Sequence, residues 1–129
     1  MANVTVTTTL ADTERKLVIK HTQVFNDAAS EENTILDISA KDYTAVAVER
    51  VWLCTSADAT AVLAWEGTND VLIAATVVDT SGSYFDYTKG GWGGLTAEGA
   101  GATGDLIFTT ENMDGNDQAT VIVEMRKIF

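Results

Sequence analysis

Near the C-terminal end of the chain, two runs rich in β-branched residues flank a polar turn. The runs are residues 101–111 and 118–127, and the connecting segment 112–117 contains Asp114-Gly115. Glycine accepts the positive φ angle of a tight turn without a steric cost, and Asp-Gly between apolar runs is a frequent hairpin sequence. The pattern therefore predicts that these two runs pair as a β-hairpin.

The N-terminal residues alternate between two kinds of side chain. Val4, Val6, Thr8 and Leu10 share one side of the segment 3–10, and threonines occupy the other side. Successive side chains of a strand point to opposite faces, so a period of two is typical of a half-buried strand. We predict such a strand at the start of the chain.

The remaining sequence has the same character of short apolar runs separated by polar turns about every ten residues. This spacing predicts one domain, residues 1–129, folded as an antiparallel β-sandwich or jelly roll of about eight or nine strands. The further predicted strands are 15–24, 34–39, 43–55, 60–66 and 71–78.

A long glycine-rich loop is predicted over residues 80–104. Seven of the ten glycines fall between residues 90 and 104, and glycine loses the most conformational entropy when it is ordered. Loops of this length in compact domains are usually functional or disordered. Aromatic residues argue against pure disorder, and they are Tyr84, Phe85, Tyr87 and Trp92.

Two functions suit these aromatic side chains. Tyr84, Tyr87 and Trp92 would stack on sugar rings, with Asp86 accepting hydrogen bonds from sugar hydroxyls. Alternatively, they would contact a neighbouring subunit, because aromatic residues are enriched in protein interfaces. We favour the subunit interface and keep a glycan as the alternative ligand. The interface candidates are Val4, Val6, Tyr84, Phe85, Tyr87 and Trp92.

The composition excludes several classes of partner. The chain has 8 basic and 19 acidic residues, a formal net charge of −11, and the acids are scattered along it. Binding to nucleic-acid phosphates requires clustered Lys and Arg. No apolar run approaches the ~20 residues of a membrane helix, and the first residues lack the pattern of a secretory signal. We expect no nucleic-acid or membrane partner, and synthesis in a host cytoplasm.

The residues that commonly carry chemistry are few. Cys54 is the single cysteine and His21 the single histidine, whereas a zinc site needs three or four such ligands and a serine triad needs a histidine beside the nucleophile. We expect Cys54 to be a small buried hydrophobe and His21 a half-buried or interface residue. The sequence predicts no enzyme activity, no catalytic residue, no cofactor and no metal.

Acidic residues leave two further hypotheses. Asp86 and Glu98 flank the aromatic segment, as a glycosidase pair would, but we favour solvated surface acids. Side-chain oxygens that could bind calcium occur in two predicted turns. The twelve-residue calcium-binding loop is missing, however. The same residue types also favour turns in their own right. Those turn residues are Asn69, Asp70, Asp114, Asn116 and Asp117.

Three stretches resemble small virion structural proteins of tailed phages of aquatic bacteria. They are Val51-Trp-Leu-Cys-Thr-Ser, Ala61-Val-Leu-Ala-Trp-Glu-Gly, and residues 101–127, which include the segment 103–110 (Thr-Gly-Asp-Leu-Ile-Phe-Thr-Thr). The similarity covers about the C-terminal 60% of the chain, and residues 1–40 match no family that we can name.

The resemblance implies a capsid decoration or cement protein, with a neck or tail component as the alternative. Such a protein would lie on the capsid surface of the virion as a homo-oligomer, a trimer, and would bridge subunits of the major capsid protein. Residues 1–11 would then suit an arm that adds a strand to the sheet edge of a neighbour.

Overall fold

The computed structural model describes residues 3–26, 30–55, 60–76, 82–89, 93–97 and 103–129. These residues form nine strands and one short 3-10 helix, Ile38–Ala40. The strands are β1 (Val4–Asp12), β2 (Lys16–Val24), β3 (Glu31–Leu36), β4 (Ala45–Thr55), β5 (Thr60–Trp65), β6 (Val71–Ala75), β7 (Gly82–Asp86), β8 (Leu106–Glu111) and β9 (Gln118–Ile128).

The strands form two antiparallel sheets. The five-stranded sheet has the order β1-β2-β9-β4-β7 and the four-stranded sheet has the order β3-β8-β5-β6. Apart from β1, the two rows β2-β9-β4-β7 and β3-β8-β5-β6 have the strand order of a jelly roll, in which the chain passes from one sheet to the other at most connections. The predicted fold class is therefore confirmed.

The predicted C-terminal hairpin is wrong. β8 pairs with β3 and β5 in one sheet, whereas β9 pairs with β2 and β4 in the other. The connection crosses between the sheets, with Met113 buried and Asn112 and Asn116 at φ angles of 61° and 71°. Each strand buries its own apolar face, and placing the two in opposite sheets lets those faces pack against each other.

The core lies between the two sheets, because alternate residues of each strand face inward. In β2 the inward positions are Leu17, Ile19, His21 and Gln23, all of them buried. The opposite sheet contributes Phe108, Leu63 and Trp65, among others. Buried core residues also include Val48, Val51, Leu53, Leu106, Val121, Val123 and Met125.

β1 differs from its prediction of a half-buried strand. It pairs along its length with β2, but its residues are exposed on both sides, with only Ala11 of intermediate exposure. β1 is the edge strand of the five-stranded sheet. The nearest strand of the opposite sheet, β3, packs near β2 and does not extend over β1. No described element covers either face of β1.

Part of the predicted loop over residues 80–104 is a strand. β7 occupies residues 82–86 and pairs with β4, with Tyr84 opposite Trp52 and Phe85 opposite Val51. Neighbouring side chains of β7 face opposite sides, as in any strand, so Phe85 packs against the core and Tyr84 points outward. Described residues 93–97 continue the edge beside β4, where Leu95 and Val48 exchange backbone hydrogen bonds of 2.8 Å.

Gly94→Ala is expected to destabilise the protein by about 1–3 kcal/mol. Gly94 has a φ angle of +96°, and a Cβ atom there would lie 2.8 Å from the carbonyl oxygen of Val48. Gly93→Ala is the matched control, because its Cβ would meet only Arg126 Nη2 at 3.5 Å. Urea midpoints of the two variants should differ clearly, and equal midpoints would contradict the role of Gly94.

Candidate interaction face

The side of the five-stranded sheet that faces away from the four-stranded sheet is its outer face. Since Leu17, Ile19, His21 and Gln23 face the core, the intervening residues of β2 lie on the outer face. The strand registers place one row across all five strands: Val6, Thr22, Thr120, Cys54 and Gly82. A neighbouring row consists of Thr8, Lys20, Ile122, Trp52 and Tyr84. Small, β-branched and aromatic side chains therefore dominate the centre of this face.

An aromatic pair stands at one end of the outer face. Trp52 of β4 lies opposite Tyr84 of β7, with ring centroids 5.1 Å apart and an angle of 33° between the ring planes. Trp52 is 39% exposed and Tyr84 is 50% exposed. Large exposed aromatic side chains of this kind are typical anchors of protein interfaces.

Arg50 forms ion pairs with two carboxylates on the outer face. Arg50 Nη1 lies 2.8 Å from Glu124 Oε1, and Arg50 Nε lies 3.7 Å from Asp86 Oδ2. The attraction of Glu124 raises the pKa of Arg50. The pKa of Asp86 is lowered, chiefly because its carboxylate accepts hydrogen bonds from the hydroxyl and the backbone N–H of Thr88. The charge of Arg50 makes a smaller contribution to the pKa in the same direction.

Basic residues outnumber acidic ones on this face, in contrast to the whole chain. The strand positions that point outward carry Lys16, Lys20, Arg50 and Arg126 against Asp86 and Glu124, and Lys16 pairs with Glu49 of the β4 bulge. Because the chain has a net charge of −11, its acids are concentrated elsewhere. This face is where another acidic protein would approach with the least repulsion.

The outer side of the four-stranded sheet has the opposite character. It holds a groove of about 300 Å³ in which Val62 and Leu72 lie beside the carboxylates of Glu32, Asp70 and Glu111. The two outward sides of the sandwich therefore differ in charge, and among the described residues only the five-stranded sheet combines a low net charge with an exposed aromatic pair.

The predicted interface residues divide between the two sides of the five-stranded sheet. Val4, Val6 and Tyr84 lie on the outer face and are exposed. Phe85 and Tyr87 pack against the core and stack on each other, with centroids 6.3 Å apart. Trp92 lies outside the described residues.

Tyr84 and Tyr87, two of the three aromatic residues proposed to hold a sugar, lie on opposite sides of the five-stranded sheet. Tyr87 donates its hydroxyl hydrogen bond to the carbonyl oxygen of Ile73, and burial raises its pKa. Tyr84 points away from it, and Trp92 falls outside the described part of the chain. Asp86 accepts hydrogen bonds from Thr88.

Val4 and Val6 are far from Tyr84 although they share a face. β1 and β7 are the two edges of the five-stranded sheet, so four inter-strand steps separate them, about 19 Å. The outer face thus has an apolar strip at one edge and the aromatic pair at the other, with Thr22, Thr120, Lys20 and Ile122 among the residues between them.

Sequence reasoning missed Trp52 as a surface residue and placed Cys54 inside. Cys54 is exposed, so its expected burial is wrong. Val51, Leu53 and Thr55 are buried, and the residues between them must point outward. Alternation along β4 was therefore the sequence signal that could have identified Trp52 and Cys54 as outward-facing.

His21 is buried rather than half-buried, at 2% exposure. Its Nδ1 lies 2.7 Å from Thr7 Oγ1 and its Nε2 lies 3.1 Å from Asn33 Oδ1. An amide oxygen only accepts, so Nε2 carries the hydrogen and Nδ1 accepts from Thr7. Asn33 Oδ1 also accepts from Gln23 Nε2 at 2.7 Å, and Gln23 Oε1 accepts from Thr110 at 2.6 Å. The network connects β1, β2, β3 and β8.

Stability is expected to fall as the pH is lowered through about 6.5, the ordinary pKa of histidine. Burial lowers the pKa of His21, against smaller opposing effects of Asn33 and Glu31. The unfolded chain therefore takes up a proton near pH 6.5 that the folded protein resists, so stability is full above that pH and declines below it. His21→Gln should flatten this slope in urea titrations at each pH, and an equal slope in both proteins would contradict it.

The other acidic candidates have structural roles where the structure describes them. Asp117 Oδ2 accepts a hydrogen bond from the backbone N–H of Asp114 at 2.7 Å, and Asp70 accepts one from Gly67. These contacts fit the preferred interpretation as turn residues. Glu98, the proposed partner of Asp86, lies outside the described residues. Over the ranges described, three or more His, Cys, Asp or Glu side chains nowhere cluster as metal ligands.

The comparisons with known proteins give weak structural likeness and no match by sequence. No family model matches the chain, and no curated protein matches its sequence. The chain is similar to a cupin superfamily protein from Desulfitobacterium hafniense, at 10% identity and a TM-score of 0.35, over 98% of this chain and 79% of the other. At this TM-score the two backbones differ too much for the likeness to bear on function. None of the helical residues described forms a segment long and apolar enough to cross a membrane.

Proposed function

We propose that this protein is a virion structural protein, a decoration or cement protein that binds the head of a tailed phage and bridges subunits of the major capsid protein. The observation that carries the proposal is the outer face of the five-stranded sheet, which combines a low net charge with the exposed Trp52–Tyr84 pair. The phage origin rests on the resemblance of three stretches of the sequence, and a jelly roll is a fold that many capsid proteins use.

Stabilisation of the shell would follow from mass action. A protein that binds the assembled shell, and not the dissociated subunits, shifts the equilibrium toward the shell by RT ln(1 + [L]/Kd). Trp52 and Tyr84 would supply the anchoring contacts, because buried aromatic side chains contribute much of the energy of an interface. Thr22, Thr120 and Ile122, which lie beside the pair on the outer face, would supply further contact surface.

Co-sedimentation with purified phage heads tests this function. The heads are assembled from the major capsid protein encoded in the same genome, before and after expansion. Saturable binding to expanded heads, and increased resistance of those heads to heat, are expected. If the protein binds purified necks or tails and not heads, the alternative of a neck or tail component is supported.

A carbohydrate-binding module is the second candidate, favoured by the same aromatic pair. Trp52 and Tyr84 are exposed side by side, and Arg50 and Asp86 lie next to them in the registers of β4 and β7. A glycan array probed with the native protein and with Trp52→Ala separates the candidates. Binding to defined glycans that Trp52→Ala removes, without binding to heads, would replace the capsid proposal.

A further inference from the structure

The two sheets end in four edge strands, and β1 differs from the others. β6 and β7 have five residues each, and β3 begins with Glu31 and Glu32. β1 has nine residues, and the stretch 4–11 contains no charged residue and no proline. Natural edge strands are commonly protected by charge, proline, shortness or a bulge. β1 has only a bulge between Thr9 and Ala11, which leaves residues 4–9 regular.

The surroundings of β1 leave room for another strand. Its side chains are exposed on both sides of the sheet, and it stands last in the strand order, with β2 as its single partner among the described strands. An incoming strand beside residues 4–9 would therefore displace no described side chain. It would pair with backbone groups along the free edge of β1.

We propose that β1 pairs antiparallel with β1 of a second copy of this chain. Copies with a charge of −11 repel each other wherever their acids meet, and β3 would bring glutamates together on self-pairing. The stretch 4–11 avoids this repulsion and brings valines and threonines into cross-strand contact, which stabilises a pair of strands. The second copy is therefore the occupant that fits this edge.

The pairing has a consequence for the proposed function. Antiparallel pairing follows a twofold axis perpendicular to the sheet, so both outer faces lie on the same side of one continuous ten-stranded sheet. The two Trp52–Tyr84 pairs then stand at opposite ends, where the two β7 strands are nine inter-strand steps or about 43 Å apart. Two anchors on one rigid body bind with avidity, which is how the dimer would bridge two capsid subunits. This consequence rests on the proposed function, but the pairing itself does not.

Light scattering on the full-length protein tests the pairing. We expect twice the chain mass of 13.8 kDa for the native protein and the single-chain mass for Val6→Lys. Leu72→Lys is the matched control and should remain a dimer, because Leu72 is 61% exposed and Val6 is 53% exposed, but on opposite sheets. A native monomer, a native trimer as the resemblance implies, or a dimeric Val6→Lys would each overturn the proposal.

Cross-linking identifies the contact itself. In a Cys54→Ser background, Val6→Cys should form an intermolecular disulfide on mild oxidation. Val6 lies near the middle of residues 4–9, and the residue at the twofold axis of an antiparallel pair faces its own copy with its Cα atom within the reach of a disulfide. Leu72→Cys should not. A dimer that Trp52→Ala dissociates, and that Val6→Cys does not cross-link, would instead place the contact on the outer face. The two proposals can fail separately. If monomeric Val6→Lys still binds heads weakly, the result supports the proposed function. If the dimer cross-links but does not bind heads, the proposed function is contradicted and the pairing is not.

Discussion

The double variant Trp52→Ala/Tyr84→Ala is expected to bind phage heads at least about 100-fold more weakly than the native protein. Anchoring aromatic residues in interfaces contribute about 2 kcal/mol or more each, and about 1.4 kcal/mol corresponds to a tenfold change in Kd. Both side chains are exposed in the free protein, so their loss removes contact area with the partner and little of the core.

The fold should survive this double substitution. The ring pair itself contributes about 0.5–1.5 kcal/mol, and neither side chain faces the space between the sheets. Circular dichroism and urea unfolding will show whether the variant retains the native structure. Kd is then measured by co-sedimentation over a range of protein concentrations.

Leu72→Ala is the control for the loss of an exposed apolar side chain. Leu72 lies on the outer side of the four-stranded sheet, beside the acidic groove, and its removal should leave the affinity unchanged. If Leu72→Ala weakens binding and the aromatic double variant does not, the interaction face has been assigned to the wrong sheet.

Alternation within strands was sufficient to predict much of the architecture. Along the predicted strand 15–24, alternation puts Leu17, Ile19 and His21 on one face, and all three are buried. The period of two is a local property that depends on the geometry of a single strand. The same rule, applied to Val51, Leu53 and Thr55, places Trp52 and Cys54 outside.

The pairing of strands could not be predicted from local sequence. Asp114-Gly115 is compatible with a hairpin, but the segment 112–117 connects strands of different sheets. Which strands pair depends on which apolar faces pack together over the whole chain, and a turn sequence does not contain that information. Burial of β1 was overestimated for a similar reason, because alternation cannot show that the opposite sheet ends before it reaches an edge strand.

The candidate face likewise required the topology. Val4, Val6 and Tyr84 are distant in sequence, and only the strand order places them on one side of one sheet. Phe85 was grouped with Tyr84 because both are aromatic neighbours, yet neighbours in a strand face opposite sides. Charge separation between the two outward sides also follows from strand order and not from composition.

The second large effect is expected at the buried pair of Gln23 and Thr110. Both residues are fully buried, and the Thr110 hydroxyl donates to Gln23 Oε1 at 2.6 Å. Gln23→Leu removes this amide, so the Thr110 hydroxyl loses its acceptor and Asn33 Oδ1 loses one of its donors. A buried polar group that loses its partner costs about 1–3 kcal/mol, so a loss of about 2–4 kcal/mol is expected.

A double-mutant cycle distinguishes the lost hydrogen bond from altered packing. Thr110→Val alone leaves Gln23 Oε1 without its donor and should cost about 1–3 kcal/mol. Gln23→Leu/Thr110→Val removes both partners, so the double variant should be more stable than the sum of the single effects predicts, by about 0.5–3 kcal/mol. Urea unfolding of the four proteins provides the free energies. Strict additivity would mean that the two side chains do not depend on each other, and that the polar network does not link β2 to β8.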